Sequence, residues 1–124
     1  MKKYIVLILA ILSVTFLFGQ AGEKGTHTVE VDQFKEYSKL EKKEIIDVRT
    51  PNEFDQGHIE GAKNIDYFSK SFKSELEKLD KSVPVYVYCR SGGRSAKAMQ
   101  IMKEIGFVSV YNLQGGFLAW SQKK

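Results

Sequence analysis

Short apolar segments that alternate with helical patterns constrain the fold of this chain more than any other feature of its sequence. From Thr26 onward, β-branched runs of strand length alternate with segments whose apolar residues recur every three or four positions. Strands separated by helices usually pair in parallel. The alternation therefore predicts an α/β fold with a five-stranded, mainly parallel sheet and helices on both faces. The predicted strands are 28–31, 44–48, 62–65, 83–88 and 108–113.

The segments between these strands carry helix signals. Asp32 is expected to cap a first helix that carries Leu40 on its apolar side. Thr50 and Glu53, with proline at the first helical position, form a capping-box pattern that predicts a short helix ending near Gln56. Apolar spacing predicts the remaining helices, which are a segment from residue 69, the segment 95–105 and a short helix after residues 115–116.

The N-terminal segment is typical of a secretory signal. Lys2 and Lys3 form a positively charged n-region, and residues 4–18 form an apolar h-region of 15 residues. A spanning helix needs about 20 apolar residues, so we expect cleavage after Ala21 and export to the periplasm or the medium. An uncleaved membrane anchor formed by residues 4–18 is the alternative. The predicted organisation is a signal peptide over 1–21, a short linker over 22–27 and one domain over 28–122.

Composition excludes several classes of function. Cleavage after residue 21 would leave 103 of the 124 residues and, by removing two lysines, would lower the formal charge from +4 to +2. The remaining charges form neither a basic stripe nor a block, so no nucleic-acid partner is expected. About 100 residues can bury one core without disulfides, and the lone Cys89 can form none within the chain. Two histidines and one cysteine offer no familiar metal-ligand cluster.

Cys89 ends a predicted buried strand and begins the segment with the most reactive chemistry. Residues 89–95 read CRSGGRS and precede a predicted helix, at the kind of loop where parallel sheets bind ligands. The two glycines permit positive-φ conformations, which let several backbone N–H groups converge. With Arg90 and Arg94 they are expected to stabilise the Cys89 thiolate and to attract a small dianionic substrate. Lowering the thiol pKa by about two units would need about 2.7 kcal/mol. An inert buried thiol is the alternative.

Three separated parts of the sequence together resemble a single-domain rhodanese. They are IDVRTPNEF at 46–54 with GHIEGA at 57–62, CRSGGRS at 89–95 and LQGGFLAW at 113–120. The resemblance covers essentially the whole predicted domain. It implies a three-layer α/β/α sandwich with strand order 1-5-4-2-3, and a sulfurtransferase whose catalytic cysteine carries sulfur as a persulfide.

The resemblance also implies roles for individual residues. Cys89 matches the nucleophile that bears the persulfide. Asp47 and Arg49 match a D-x-R element that supports the active-site loop by analogy, and a surface ion pair is their alternative interpretation. His58 matches a G-H-I turn, where a structural hydrogen bond is favoured over a proton shuttle. The residues that match the rest of the substrate-binding loop are Arg90, Ser91, Gly92, Gly93 and Arg94.

The implied reaction moves one sulfur atom through a covalent intermediate. The Cys89 thiolate takes sulfur from a donor such as thiosulfate, while Arg90 or Arg94 balances the charge of the departing sulfite. Cyanide or a thiol then removes the sulfur, so neither a metal nor an organic cofactor is required. A monomer is expected.

Two alternatives to this enzyme stay open. One is a non-enzymatic module that carries persulfide sulfur to a sulfur-accepting protein or senses oxidants. The other is a cysteine phosphatase, although its loop needs five residues between cysteine and arginine, whereas four separate Cys89 from Arg94.

Overall fold

Strands and helices alternate along the chain in the computed structural model, which describes residues 23–39 and 42–123. The predicted signal peptide over 1–21 and Leu40 lie outside the described residues. No helix within the described part of the chain is long and apolar enough to cross a membrane. The strands are β1 (Gly25–Val29), β2 (Glu44–Asp47), β3 (Lys63–Asn64), β4 (Val85–Tyr88) and β5 (Ser109–Leu113). The helices are α1 (Val31–Tyr37), α2 (Pro51–Asp55), α3 (Phe72–Glu77), α4 (Gly93–Glu104) and α5 (Gly116–Gln122).

The five strands form one sheet in the order β1-β5-β4-β2-β3, and every neighbouring pair is parallel. This order confirms the one that the family resemblance implies. The central strands β4 and β5 are buried along their whole length, as their apolar and aromatic sequences require. Because all strands run in one direction, the carboxyl ends of β2, β4 and β5 meet at the same edge of the sheet.

Two apolar cores, one on each face of the sheet, pack the helices against the strands and give the three-layer α/β/α sandwich. One core joins α3 and α4 to the sheet through Phe72, Leu76, Ala98 and Met102. The other joins α1 and α5, whose Phe34 and Trp120 rings meet edge to face with centroids 6.1 Å apart. The alternating side chains of β4 reach both cores, which fixes that strand between the helical layers. On one side lie Val85 and Val87, and on the other lie Tyr86 and Tyr88.

The prediction for the first strand and helix was wrong in position. Strand β1 covers Gly25–Val29 rather than 28–31, so residues 25–27 belong to the sheet and not to a linker. Val31 instead opens α1, because it lies three positions before Phe34 on the buried side of that helix. Asp32 lies within the first turn, and the N-terminal cap is Glu30, which makes no side-chain capping bond.

The other predicted elements are present, with ends that differ by at most three residues. Strand β4 begins only after Pro84, which has no N–H group to donate to a ladder. Helix α2 has the predicted capping box, since the Thr50 hydroxyl accepts from the Glu53 N–H and the Glu53 carboxylate accepts from the Thr50 N–H. Helix α4 begins at Gly93, two residues earlier than predicted.

Candidate active site

The carboxyl edge of the sheet gathers buried polar side chains around Cys89. The described residues include five buried polar or charged side chains, and three of them, Asp47, Arg49 and Ser95, lie in the segments that follow or end β2 and β4. Polar groups are rarely buried unless they bond to a partner. This concentration marks the edge as the candidate site before any individual contact is considered.

The Cys89 thiol lies at the bottom of the loop that joins β4 to α4. Cys89 is 1% exposed, and its Sγ accepts hydrogen bonds from the Gly92 N–H at 3.1 Å and from the Ser95 hydroxyl at 3.4 Å. Burial raises the pKa of this thiol, but the Ser95 hydroxyl and the backbone N–H groups of Ser95, Gly92 and Ser91 together lower the pKa below its usual value. The geometry therefore favours the thiolate, as a nucleophile requires.

Ser95 is a site residue that sequence reasoning missed. It is fully buried in the first turn of α4, on the apolar side of that helix with Ala98, Met99 and Met102. A serine at one of these apolar positions, six residues after the cysteine, is the sequence signal that could have identified it. Its hydroxyl lies near both Cys89 Sγ and the Gly92 carbonyl oxygen, which is 3.2 Å away.

The two loop glycines have different roles. Gly92 has φ of +114°, a backbone conformation that residues with a side chain rarely adopt, and its N–H faces the thiol. Gly93 has no positive φ and opens α4 with open space where a Cβ would lie. The expectation that both glycines supply special backbone angles is therefore correct for Gly92 and wrong for Gly93.

The first turn of α5 bonds to the backbone of the active-site loop. The N–H of Phe117 donates to the Cys89 carbonyl at 2.8 Å, and the N–H of Leu118 donates to the Arg90 carbonyl at 3.1 Å. Gly116 allows this approach, because a Cβ at that position would lie 2.5 Å from both carbonyl oxygens. The second glycine of the third motif, Gly116, is thus a backbone-packing requirement of the site.

Asp47 and Arg49 form a buried ion pair beside the loop, so the surface ion pair is excluded. The Arg49 Nη2 donates to Asp47 Oδ2 at 2.6 Å and to the Gly57 carbonyl at 2.7 Å. Its guanidinium also lies 4.4 Å from the centre of the Phe117 ring. Burial lowers the pKa of Arg49, but the opposite effect of Asp47 is greater. The pKa of Arg49 is therefore raised overall, and the arginine stays charged. Both Asp47 carboxylate oxygens and the Arg49 Nε and Nη2 atoms have partners within the protein.

Arg94 is bound by a carboxylate that the sequence had suggested only as a helix cap. Its Nη1 and Nη2 donate to Glu53 Oε1 and Oε2 at 2.7 and 3.0 Å, forming a two-point ion pair. Hydrogen bonds from Arg94 are the largest cause that lowers the pKa of Glu53 to about 2. Glu53 consequently joins α2 to the active-site loop and neutralises one of the two loop arginines.

Arg90 and His58 lie in contrasting surroundings. Arg90 is exposed, and within residues 23–39 and 42–123 its side chain forms no ion pair. It also lines a cavity of about 220 Å³, together with Glu53 and Leu118. His58 stacks on Phe54 with ring centroids 3.7 Å apart, and its Nδ1 lies 3.0 Å from the Phe54 carbonyl oxygen. His58 thus makes the structural contact that was favoured for it, and Arg90 is the loop cation free for a ligand.

Other possible sites are less well equipped. Two larger open cavities, of about 400 and 620 Å³, include none of residues 89–95 in their lining. No three His, Cys, Asp or Glu side chains come together as metal ligands in the described part of the chain. The loop around Cys89 is therefore the place where nucleophile, oriented N–H groups and free charge coincide.

Comparison with known proteins identifies the family. A model of the rhodanese-like domain matches residues 30–123, and the chain belongs to this family. It is 47% identical over 83 residues to the uncharacterized protein YqhL of Bacillus subtilis, covering 66% of this chain and 64% of that protein. It is 34% identical to the thiosulfate sulfurtransferase GlpE of Shewanella oneidensis, covering 76% and 91%. A rhodanese-like domain protein from Staphylococcus aureus superposes with a TM-score of 0.67 at 29% identity, covering 76% and 90%.

Proposed function

We propose that the protein is a sulfurtransferase that carries sulfur on Cys89 as a persulfide. The observation that carries this proposal is the convergence of the Gly92 N–H and the Ser95 hydroxyl on a buried thiol whose pKa is lowered. Such an arrangement stabilises an anion on sulfur, either the thiolate or the terminal sulfur of a persulfide. Similarity to proteins named thiosulfate sulfurtransferases supports the same reaction class.

The first half-reaction is a displacement at sulfur. The Cys89 thiolate attacks the outer sulfur of a donor such as thiosulfate, a new S–S bond forms, and the S–S bond to the sulfite group breaks. Sulfite leaves with the electron pair, and Cys89 retains one additional sulfur. The exposed Arg90 is placed to balance the anionic donor and the departing sulfite, whereas Arg94 is already paired with Glu53.

The second half-reaction regenerates the thiolate. Cyanide or a thiolate attacks the outer sulfur of the persulfide, and Cys89 leaves as the thiolate that the loop stabilises. Two half-reactions that share one covalent intermediate produce ping-pong kinetics. All of the groups that this sequence of steps needs are present in the chain, and no proton transfer by His58 is required.

The intact mass of the protein tests the proposal directly. Treatment with thiosulfate should add one sulfur atom, and subsequent cyanide should remove it with formation of thiocyanate. Cys89→Ser should gain no sulfur, and its rate of turnover should be at least about 1000-fold lower than that of the wild type, because serine does not form an anion at neutral pH. Failure of the wild-type protein to gain sulfur from thiosulfate, or turnover in Cys89→Ser, would contradict the mechanism. Uptake of sulfur only from a donor protein would favour the carrier function.

We also propose that the protein is exported, on the basis of Lys2, Lys3 and the apolar residues 4–18. N-terminal sequencing of the protein isolated from cells should give a mature terminus near Gly22. Recovery of Met1 in a membrane fraction would instead support the anchored alternative.

A further inference from the structure

Exposed apolar side chains flank the entrance to the active site. Three large hydrophobic side chains are exposed among the described residues, namely Phe68 at 67%, Leu118 at 42% and Val108 at 40%. Phe68 lies against Arg94, Leu118 lies beside Arg90, and Val108 lies at the opposite edge of the sheet, just before β5. A small anionic donor gains nothing from exposed hydrocarbon, so two such side chains at one entrance indicate a larger ligand.

Hydrogen bonds fix the backbone of both residues beside the loop arginines. The Phe68 N–H donates to Asp66 Oδ1 at 2.9 Å, and the ring centre lies 5.8 Å from the Arg94 guanidinium carbon. The Leu118 N–H donates to the Arg90 carbonyl at 3.1 Å. A backbone that is already fixed reduces the conformational freedom that these residues lose when a partner covers them.

Three exposed cations lie next to these apolar side chains, and the partly exposed Asp66 carboxylate accepts from the Phe68 N–H. Arg90 is exposed and Lys70 follows Phe68 by two residues, while Lys97 lies one turn after Arg94 on the same side of α4. None of the three cations forms an ion pair within the described ranges, whereas Arg94 is neutralised by Glu53. Charge complementarity therefore favours an acidic ligand.

We propose that this entrance surface, formed by Phe68, Leu118, Arg90, Lys70 and Lys97, binds a sulfur-accepting protein whose cysteine lies in an acidic segment with apolar neighbours. The inference rests on the proposed function. Because Cys89 is 1% exposed, the acceptor must reach inward with a slender group, as a cysteine side chain on an extended segment can. The acceptor thiolate attacks the outer sulfur of the persulfide, a new S–S bond forms, and the bond to Cys89 breaks to release its thiolate. No oxidant or reductant is needed.

Single-turnover sulfur transfer to synthetic peptides tests this surface. The protein is first loaded with thiosulfate, and the loss of sulfur is then followed by intact mass with acetyl-Asp-Leu-Cys-Leu-Asp-amide or acetyl-Lys-Gly-Cys-Gly-Lys-amide. Of two further peptides, one differs from the acidic apolar peptide only in its charged residues, and the other differs only in its apolar residues. Each rate is divided by the rate with cyanide measured on the same variant, which corrects for changes in the reactivity of Cys89. The variants are Phe68→Ser, Leu118→Ser and the matched control Val108→Ser.

We expect the acidic apolar peptide to react about tenfold faster than the basic glycine peptide, since it covers hydrocarbon and meets unpaired cations. This preference should fall in Phe68→Ser and Leu118→Ser and should persist in Val108→Ser. Equal rates with all four peptides, or a preference that survives both entrance variants, would overturn the inference while leaving the proposed function intact. Failure of thiosulfate to load Cys89 would overturn both.

Discussion

The segments that follow β2 and β4 bring arginines to the same edge of the sheet but use them in opposite ways. After β2, Arg49 is 4% exposed and its guanidinium bonds to Asp47 and to the Gly57 carbonyl. After β4, the Gly92 N–H and the Ser95 hydroxyl face one sulfur atom, and Arg90 is exposed without an ion pair among the described residues. One segment satisfies its charges internally, and the other leaves charge and donors for a ligand.

This difference explains how a small domain can keep a loop of converging N–H groups without losing its shape. Backbone N–H groups that converge on one point repel each other unless an anion lies there. The neighbouring segment supplies rigid support, because the buried Asp47–Arg49 pair is held by several hydrogen bonds that restrict its geometry. Glu53 connects the two regions, since it caps α2 and also pairs with Arg94.

Breaking the internal pair should have the largest effect on stability. Asp47→Ala leaves Arg49 buried without its carboxylate, so we expect the free energy of unfolding to fall by about 3 to 5 kcal/mol. Denaturant unfolding followed by circular dichroism measures this loss. The matched control is Asp32→Ala, which breaks an ion pair with Lys123 whose side chains are 54% and 74% exposed, and should change stability by less than about 1 kcal/mol. Equal effects in the two variants would show that the D-x-R pair is not structural.

Removing the free arginine should instead affect catalysis. Arg90→Ala should lower kcat/KM for thiosulfate about 10- to 100-fold. This decrease corresponds to the loss of one charge-assisted contact of about 1.5 to 3 kcal/mol. Lys103→Ala, in the last turn of α4, is the control for loss of one positive charge.

The double variant Glu53→Gln with Arg94→Ala sharpens this contrast between the two loop arginines. It removes both charges of a neutral pair, so we expect kcat/KM for thiosulfate to change by less than about threefold. A larger loss there than in Arg90→Ala would mean that Arg94 binds the donor despite its pairing with Glu53.

The sequence predicted the parts of this comparison that depend on local signals. The strand before Cys89, the capping box at Thr50 and Glu53, and the position of the loop between a strand and a helix all follow from short-range patterns. The strand order came from the family resemblance and not from the residues alone. The end of β1 was misplaced because Val29 and Val31 suit a strand equally well, and only the packing of Val31 beside Phe34 separates them.

Contacts between distant parts of the chain could not be predicted in the same way. The pair of Glu53 with Arg94 joins positions 41 residues apart, so no spacing rule relates them. Ser95 is near Cys89 in sequence, but its hydroxyl reaches the sulfur only because α4 begins at Gly93 and turns that side chain inward. Both contacts required the tertiary arrangement of the loop.

Ser95 tests whether the loop acts through individual donors. Ser95→Ala removes one hydrogen bond to the thiolate, so the pKa of Cys89 should rise. The pH dependence of alkylation by iodoacetamide measures this shift, and Ser91→Ala is the control because Ser91 is exposed and acts through its backbone N–H. If the pH dependence of alkylation is unchanged in Ser95→Ala, the lowered pKa of Cys89 is due to backbone N–H groups alone.

A small effect on stability is expected from the ion pair of Glu53 with Arg94, which links the two regions. The folded-state pKa of Glu53 is about 2, against an ordinary value of 4.5. Its pairing with Arg94 therefore stabilises the fold above pH 4.5, and this contribution is lost as the pH falls toward 2. Both side chains are about a quarter exposed, so we expect the contribution to be about 1 kcal/mol. The difference in unfolding free energy between wild type and Glu53→Gln should be constant near neutral pH and should shrink in acid. Glu75→Gln, from a more exposed pair with Lys78, should differ from wild type by less than about 0.5 kcal/mol. A wild-type advantage over Glu53→Gln that is undiminished at pH 2 would show that the carboxylate charge does not hold the loop to α2.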